Sequence, residues 1–213
     1  RREIDGLRAI AIIPVILFHA GFSFANGGYI GVDIFFVLSG FLITTLILKE
    51  LESGIFSLKN FYERRVRRLL PASFFVIIIS ILASIFFMPQ LNQEAFSRSI
   101  IAVIFFVSNI YFFIRSGYFA ESNQETPLLH TWSLSIEEQF YLFFPIILIT
   151  LWPLRKKIIF ITLFFIALLS LFIAQFGGNF SFSSPYLDEN FHLFNVPIWG
   201  FFNTVTRVWE LLC

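Results

Sequence analysis

In a chain that is otherwise almost wholly apolar, a few residues have the types and spacing that proton transfer and anion binding need. Arg8 and His19 stand eleven positions apart in the apolar stretch 7–24. On an α-helix eleven steps return to within about 20° of the starting direction, so both side chains share one face, about 16 Å apart along the axis. Ionisable groups at bilayer depth are costly and line a pathway or a reaction centre rather than facing lipid. An imidazole there suits proton transfer. The plainer alternative is that Arg8 anchors the helix at the cytoplasmic interface and His19 ends it at the far headgroups.

Asp33 opens the next apolar run, Gly31-Val32-Asp33-Ile34-Phe35-Phe36-Val37-Leu38-Ser39-Gly40-Phe41. It could orient His19 by accepting a hydrogen bond from the imidazole, or simply cap the helix N-terminus. Ser39 and Gly40 suit close helix packing.

Farther on, Arg64, Arg65, Arg67 and Arg68 place four arginines in five positions directly before an apolar run. On a helix Arg65 and Arg68 lie one turn apart, as do Arg64 and Arg67, so two guanidinium forks can converge on one phosphate. The competing role is a topology determinant that also holds anionic headgroups, at about 1 kcal/mol per charge.

The last cluster is Leu129-His130-Thr131-Trp132-Ser133-Leu134-Ser135-Ile136-Glu137-Glu138-Gln139-Phe140-Tyr141. Adjacent acids on a helix point about 100° apart, so only one is expected to face the bundle interior. Glu138, nearer the apolar run, is the expected one. An exposed pair favoured by the helix dipole is the alternative. Trp132 and Tyr141 read either as interfacial belt aromatics or as a platform for a sugar ring.

The elements that must position these groups belong to a membrane. Of 213 residues, 57% are hydrophobic, 14% are charged and 32 are Phe, which excludes an ordinary soluble domain. Net charge of +1 says nothing about partners, and neither a metal nor a nucleic acid is expected. Apolar runs fall at about 9–24, 31–48, 71–88, 100–114, 140–154 and 158–176, with part of a seventh beginning near Val196. Basic residues gather before the first run, between 49 and 70, and at Arg155, Lys156 and Lys157, whereas 21–30 and 177–196 hold no Lys or Arg. The basic set is expected inside, with the N-terminus cytoplasmic.

Three runs then separate two cytoplasmic stretches, where parity demands an even number of crossings. Run 100–114, short and broken by Ser108 and Asn109, is expected to re-enter and leave 115–138 outside. The one cysteine is Cys213 and the one methionine Met88, and no cleavable signal peptide or internal repeat is visible. The chain is expected to be a fragment cut at both ends.

On these residues the chain resembles the membrane-bound acyltransferase 3 family, which includes O-antigen acetylases and peptidoglycan O-acetyltransferases. The resemblance is carried by Asp5-Gly6-Leu7-Arg8-Ala9 with His19, by the run from Gly31 to Phe41, by the basic stretch 64–71, by the stretch from Leu129 to Tyr141, and by Arg207, Trp209 and Glu210. It implies transfer of an acyl group, commonly acetyl, from cytosolic acyl-CoA to a carbohydrate hydroxyl at the outer face of a bacterial inner membrane.

The family's first-helix Arg and His correspond to Arg8 and His19. Its Arg-x-x-Arg element corresponds to Arg65 and Arg68, or to Arg64 and Arg67 in the other register. Residues 1–213 are thus expected to be the N-terminal part of a single transmembrane acyltransferase domain, an all-α polytopic bundle. In it Arg8, Arg64, Arg65, Arg67 and Arg68 hold the donor, His19, Glu138 and Asp33 do the chemistry, and His130, Trp132 and Tyr141 meet the acceptor. A transporter of an anionic solute working through Arg8, His19 and Asp33 is the alternative, and it would predict paired halves with interrupted helices.

Overall fold

The computed structural model describes residues 2–118, 127–176 and 203–212. Within them all regular structure is helical: α1 (Arg2–His19), a short 3-10 turn at Ser23–Ala25, α2 (Ile30–Glu52), α3 (Leu58–Phe87), α4 (Gln90–Ile104), α5 (Ser108–Tyr118), α6 (Thr131–Leu151), α7 (Lys156–Phe176) and α8 (Thr204–Leu212). A bilayer offers no water to backbone N–H and C=O groups, so helices that satisfy their own backbone are what such apolar runs form. Among the described residues α2, α3, α6 and α7 are long and apolar enough to cross a membrane, and α1 contributes the shorter apolar helix Gly6–His19. The all-α polytopic bundle is therefore found. The seventh run near Val196 and the loop residues 119–126 lie outside the described residues.

Helix α3 starts earlier than its apolar run. Ser57 caps it by accepting from the Asn60 N–H at 3.5 Å, so the four arginines sit inside the helix rather than ahead of it.

Run 100–114 is split between two helices. Helix α4 ends at Ile104, Phe106 takes a positive φ of 53°, and α5 begins at Ser108. The Tyr111 hydroxyl donates to the Ala95 carbonyl at 2.8 Å, folding α5 back along α4. With 15 and 11 residues these helices reach about 22 and 16 Å, short of a hydrocarbon core of roughly 30 Å.

The two ends of the bundle are distinct. Lys156 donates to Glu52 at 2.7 Å, joining the end of α2 to the start of α7 at the basic end. At the other end His19, which closes α1, lies within electrostatic reach of His130, which precedes α6.

Close helix contacts fix how the elements are rotated. A Cβ at Gly28 or Gly31 would collide with the carbonyls of Pro14 and Ala11, so α1 and α2 touch backbone to backbone. A Cβ at Gly40 would collide with the Leu211 carbonyl, which seats α8 on α2. The core, with Phe36, Ile47, Phe61, Phe112, Ile136 and Leu148 at its centre, sits between α2, α3, α5 and α6 and is closed by α8.

Candidate active site

Helices α1, α2, α3 and α6 each contribute a polar side chain to one buried cluster. Arg65 of α3 donates to the Glu138 carboxylate at 3.2 Å, and its guanidinium lies 3.6 Å from the centre of the Tyr141 ring. Arg8 of α1 stands over the Phe35 ring at 5.6 Å. Glu137 of α6 is 7% exposed and Ser39 of α2 is 2% exposed. Arg65, Glu138 and Arg8 all lie within electrostatic range of Glu137, and Ser39 approaches both Glu137 and Tyr141 without reaching hydrogen-bond geometry.

Four atoms of this chamber have no hydrogen-bond partner: Arg8 Nε, Ser39 Oγ, Arg65 Nε and Glu137 Oε1. A buried polar group left in that state costs about 1–3 kcal/mol.

The acid expected inside was Glu138, but the structure buries Glu137 more deeply and turns both acids inward. The reason is the phase of α6. Its buried stripe contains Trp132, Ile136, Phe140, Tyr141, Phe144 and Leu148, and Glu137 falls within it one turn before Tyr141. That spacing, rather than nearness to the apolar run, was the signal that points to Glu137.

The four arginines also part company. Arg64 pairs with Glu50 at 2.8 Å and Arg67 with Glu63 one turn back at 2.7 Å, while Arg68 stands exposed. Arg65 is drawn into the chamber, so neither Arg65 with Arg68 nor Arg64 with Arg67 converges on a common point here.

Asp33 does not orient His19. Its carboxylate instead accepts from Arg207 of α8 at 2.8 Å, and Arg207 also bonds Glu210. His19 Nδ1 lies 2.8 Å from the Val15 carbonyl. A carbonyl only accepts, so Nδ1 carries a proton, and in the neutral tautomer that fits this contact Nε2 holds the lone pair that a base requires.

His130 sits just outside the α6 span. Burial of its ring lowers its pKa below the ordinary histidine value, with the Pro127 backbone opposing and His19 acting in the same sense as burial. Trp132 and Tyr141 are core residues and form no interfacial belt. Trp132 packs edge-on against Phe36, and Tyr141 supports Arg65.

A second polar cluster stitches the broken hairpin to α6 and α8. The Ser108 N–H donates to Ser135 Oγ at 3.2 Å, the two serine hydroxyls are 2.7 Å apart, and Thr131 donates to Ser108 at 3.1 Å. Gln139 donates to the Phe106 carbonyl at 2.8 Å and to Asn109 at 2.9 Å, and Thr204 bonds both Asn109 and Gln139. Irregular backbone at membrane depth persists only where protein satisfies it, and these side chains do so.

A cavity of about 600 Å³ lies elsewhere, between α2, α6, α7 and α8, lined by Leu148, Trp152, Phe164 and Trp209 among others. It carries no candidate catalytic group. Among the described residues no cluster of three or more His, Cys, Asp or Glu could hold a metal ion.

The family model described as "Acyltransferase domain" matches residues 1–202. A putative O-acetyltransferase of Staphylococcus aureus (strain COL) is 45% identical over 155 residues, covering 72% of this chain and 26% of its own length. The peptidoglycan O-acetyltransferase OatA of Listeria monocytogenes is 45% identical over 161 residues, covering 74% of this chain and 26% of its own length. The O-acetyltransferase OatA of Staphylococcus aureus (strain NCTC 8325) is 40% identical over 170 residues, covering 79% and 28%. The chain thus spans about a quarter of the length of these curated relatives. No solved structure gives a significant match.

Proposed function

This chain belongs to the acyltransferase domain family, and from that premise we propose a membrane O-acyltransferase that moves an acyl group, acetyl first among candidates, from acyl-CoA to a hydroxyl of a cell-surface carbohydrate. Peptidoglycan is the acceptor class indicated by the Listeria relative's name. The observation that carries this reading is the chamber of Arg8, Ser39, Arg65, Glu137, Glu138 and Tyr141, which lies between the arginines of the basic end and His19 at the opposite end.

The basic end faces the cytoplasm of a bacterial inner membrane, as the positive-inside bias favours. There Arg64, Arg67 and Arg68 attract the donor phosphates. Arg8 and Arg65 act deeper, along the path of the thioester. His19 Nε2 takes the proton of the acceptor hydroxyl as its oxygen attacks the thioester carbonyl. The C–S bond breaks, CoA leaves as the thiolate, and the proton passes to it from His19. His130 lies on the acceptor side. Tyr141 supports Arg65 rather than meeting the sugar, and Asp33 acts through Arg207 in seating α8.

His19→Asn in the full-length protein tests this. Asparagine keeps polarity but cannot accept the proton, and general base catalysis contributes about 10²- to 10⁴-fold. Transfer to the carbohydrate is expected to fall by that factor, with acyl-CoA binding and the amount of protein in the membrane unchanged. Turnover close to wild type would move the base away from His19 and sink the mechanism.

A further inference from the structure

The cavity between α2, α6, α7 and α8 plays no part in the proposed reaction, and its two ends differ in character. At the basic end the Lys156–Glu52 bridge, 2.7 Å long, crosses its mouth, and Trp152 stands beside it. From Lys156 the slot follows α7 past Leu163 and Ala167 to Leu171, about 22 Å along the axis. Trp209 stands at the far end, where its backbone N–H donates to Ser170 Oγ at 3.0 Å. On the α7 side Phe160 is 71% exposed and Phe164 52%, so the slot is open toward the bilayer.

Size separates the occupants that such an apolar slot could take. A helix is about 10–12 Å across with its side chains, so one laid over this length would fill about 2,000 Å³, well beyond the cavity's volume of about 600 Å³. A lipid acyl chain is far thinner and reaches about 15 Å, half the hydrocarbon thickness, which fits within the slot. The mouth says what that chain is attached to. Arg155 and Lys157 flank Lys156, both exposed and, among the described residues, neither in an ion pair. The mouth is also the N-terminus of α7, whose first turn holds no acidic residue, and free backbone N–H groups there favour an anion. Glu52, the acid lining the mouth, is already neutralised by Lys156.

We infer that this slot binds one acyl chain of an anionic phospholipid, with the headgroup phosphate held at Arg155, Lys157 and the start of α7. Basic pockets between spanning helices take such headgroups. The chain fills the space that side chains leave open beside Ala167, and so ties α7 to α2 and, through Trp209, to α8. The site involves neither acyl-CoA nor His19, so it stands or falls apart from the proposed reaction.

Trp209 reports on the slot directly. The full-length protein is placed in phosphatidylcholine vesicles that contain a small share of phosphatidylglycerol brominated on its acyl chains, with brominated phosphatidylcholine as the comparison. Quenching is read as the part of the signal that disappears in Trp209→Phe, and each variant's fold is checked by thermal melting. One engaged cation is worth about a fivefold preference, so phosphatidylglycerol is expected to quench at concentrations at least about fivefold lower than phosphatidylcholine. Arg155→Gln with Lys157→Gln, which spares the Lys156–Glu52 bridge, should bring the two lipids together. Ala167→Phe, which puts a ring into the slot, should lower quenching by both. Equal quenching by the two lipids in wild type overturns the site, as does a preference that survives the double glutamine variant. Quenching that survives Ala167→Phe in folded protein would move the lipid to the outer surface of the bundle. A Trp209 that neither lipid quenches would show the slot filled by another part of the full-length chain, and would equally overturn the inference.

Discussion

Two faces of α6 carry buried polar side chains, and they are resolved in opposite ways. On one face Thr131, Ser135 and Gln139 join Ser108, Asn109 and Thr204, and none of these side chains has a buried atom without a partner. On the other, Glu137, Glu138 and Tyr141 meet Arg8, Ser39 and Arg65, and four atoms are left unpaired. Satisfied networks rigidify a fold, and the first one has an evident structural task, since it supplies the bonds that the break around Phe106 removed. Unsatisfied groups cost stability and persist where something other than stability keeps them. The contrast separates a seam that holds the bundle from a polar cluster whose bonds the fold leaves open.

The contrast can be broken most severely at Arg65. Arg65→Met leaves Glu138 as an unpaired, partly buried charge, and removing one partner of such a pair costs about 3–5 kcal/mol. Thermal melting should register that loss. The double variant Arg65→Met with Glu138→Gln should recover most of the stability while transfer stays lost. Recovery of transfer together with stability would make the pair a strut of the fold.

Gln139→Leu probes the seam. It removes the donor to the Phe106 carbonyl and to Asn109, for about 2–3 kcal/mol in the same melting assay, with turnover per folded molecule preserved. Turnover lost without a change in melting would merge the two faces into one site.

The smallest stability effect is expected at Arg67, whose partner Glu63 is one turn away on the same exposed helix face. Arg67→Ala should change stability by no more than about 0.5 kcal/mol. The KM for acetyl-CoA should nevertheless rise, more at low salt than at high, because exposed charges attract a phosphate-rich donor only while unscreened. A KM that does not move at low salt would confine donor recognition to the chamber.

Much of the architecture was legible before any coordinates. The runs 31–48, 71–88 and 158–176 became α2, α3 and α7, and the shorter run 140–154 became the later part of α6, since an apolar segment in a bilayer has little choice but to close its own hydrogen bonds. The parity of basic clusters pointed to 100–114 as the irregular element, and the chain does break there, beside Ser108 and Asn109. Arg8, His19 and the stretch from His130 to Tyr141 stood out in the sequence because ionisable residues in such a background are conspicuous. Less was legible of who meets whom. Asp33 was matched to His19, its neighbour in the hairpin, whereas its partner Arg207 lies 174 positions away.

The sequence by itself determined that this chain is helical, that it lives in a membrane, which end is basic, and which polar residues stand out from the apolar background. Those properties are local: they follow from composition, from 3.6-residue periodicity and from the bilayer's demand on the backbone. Only the tertiary structure decided that Glu137 goes deepest, that Arg65 leaves its neighbours to join Glu138 across 73 positions, and that Asp33 belongs to α8. Each depends on the rotation of one helix against another, set by contacts such as Gly31 on Ala11 and Gly40 on Leu211. A turn of 100° separates Glu137 from Glu138, and no local pattern fixes that angle until the helices have packed.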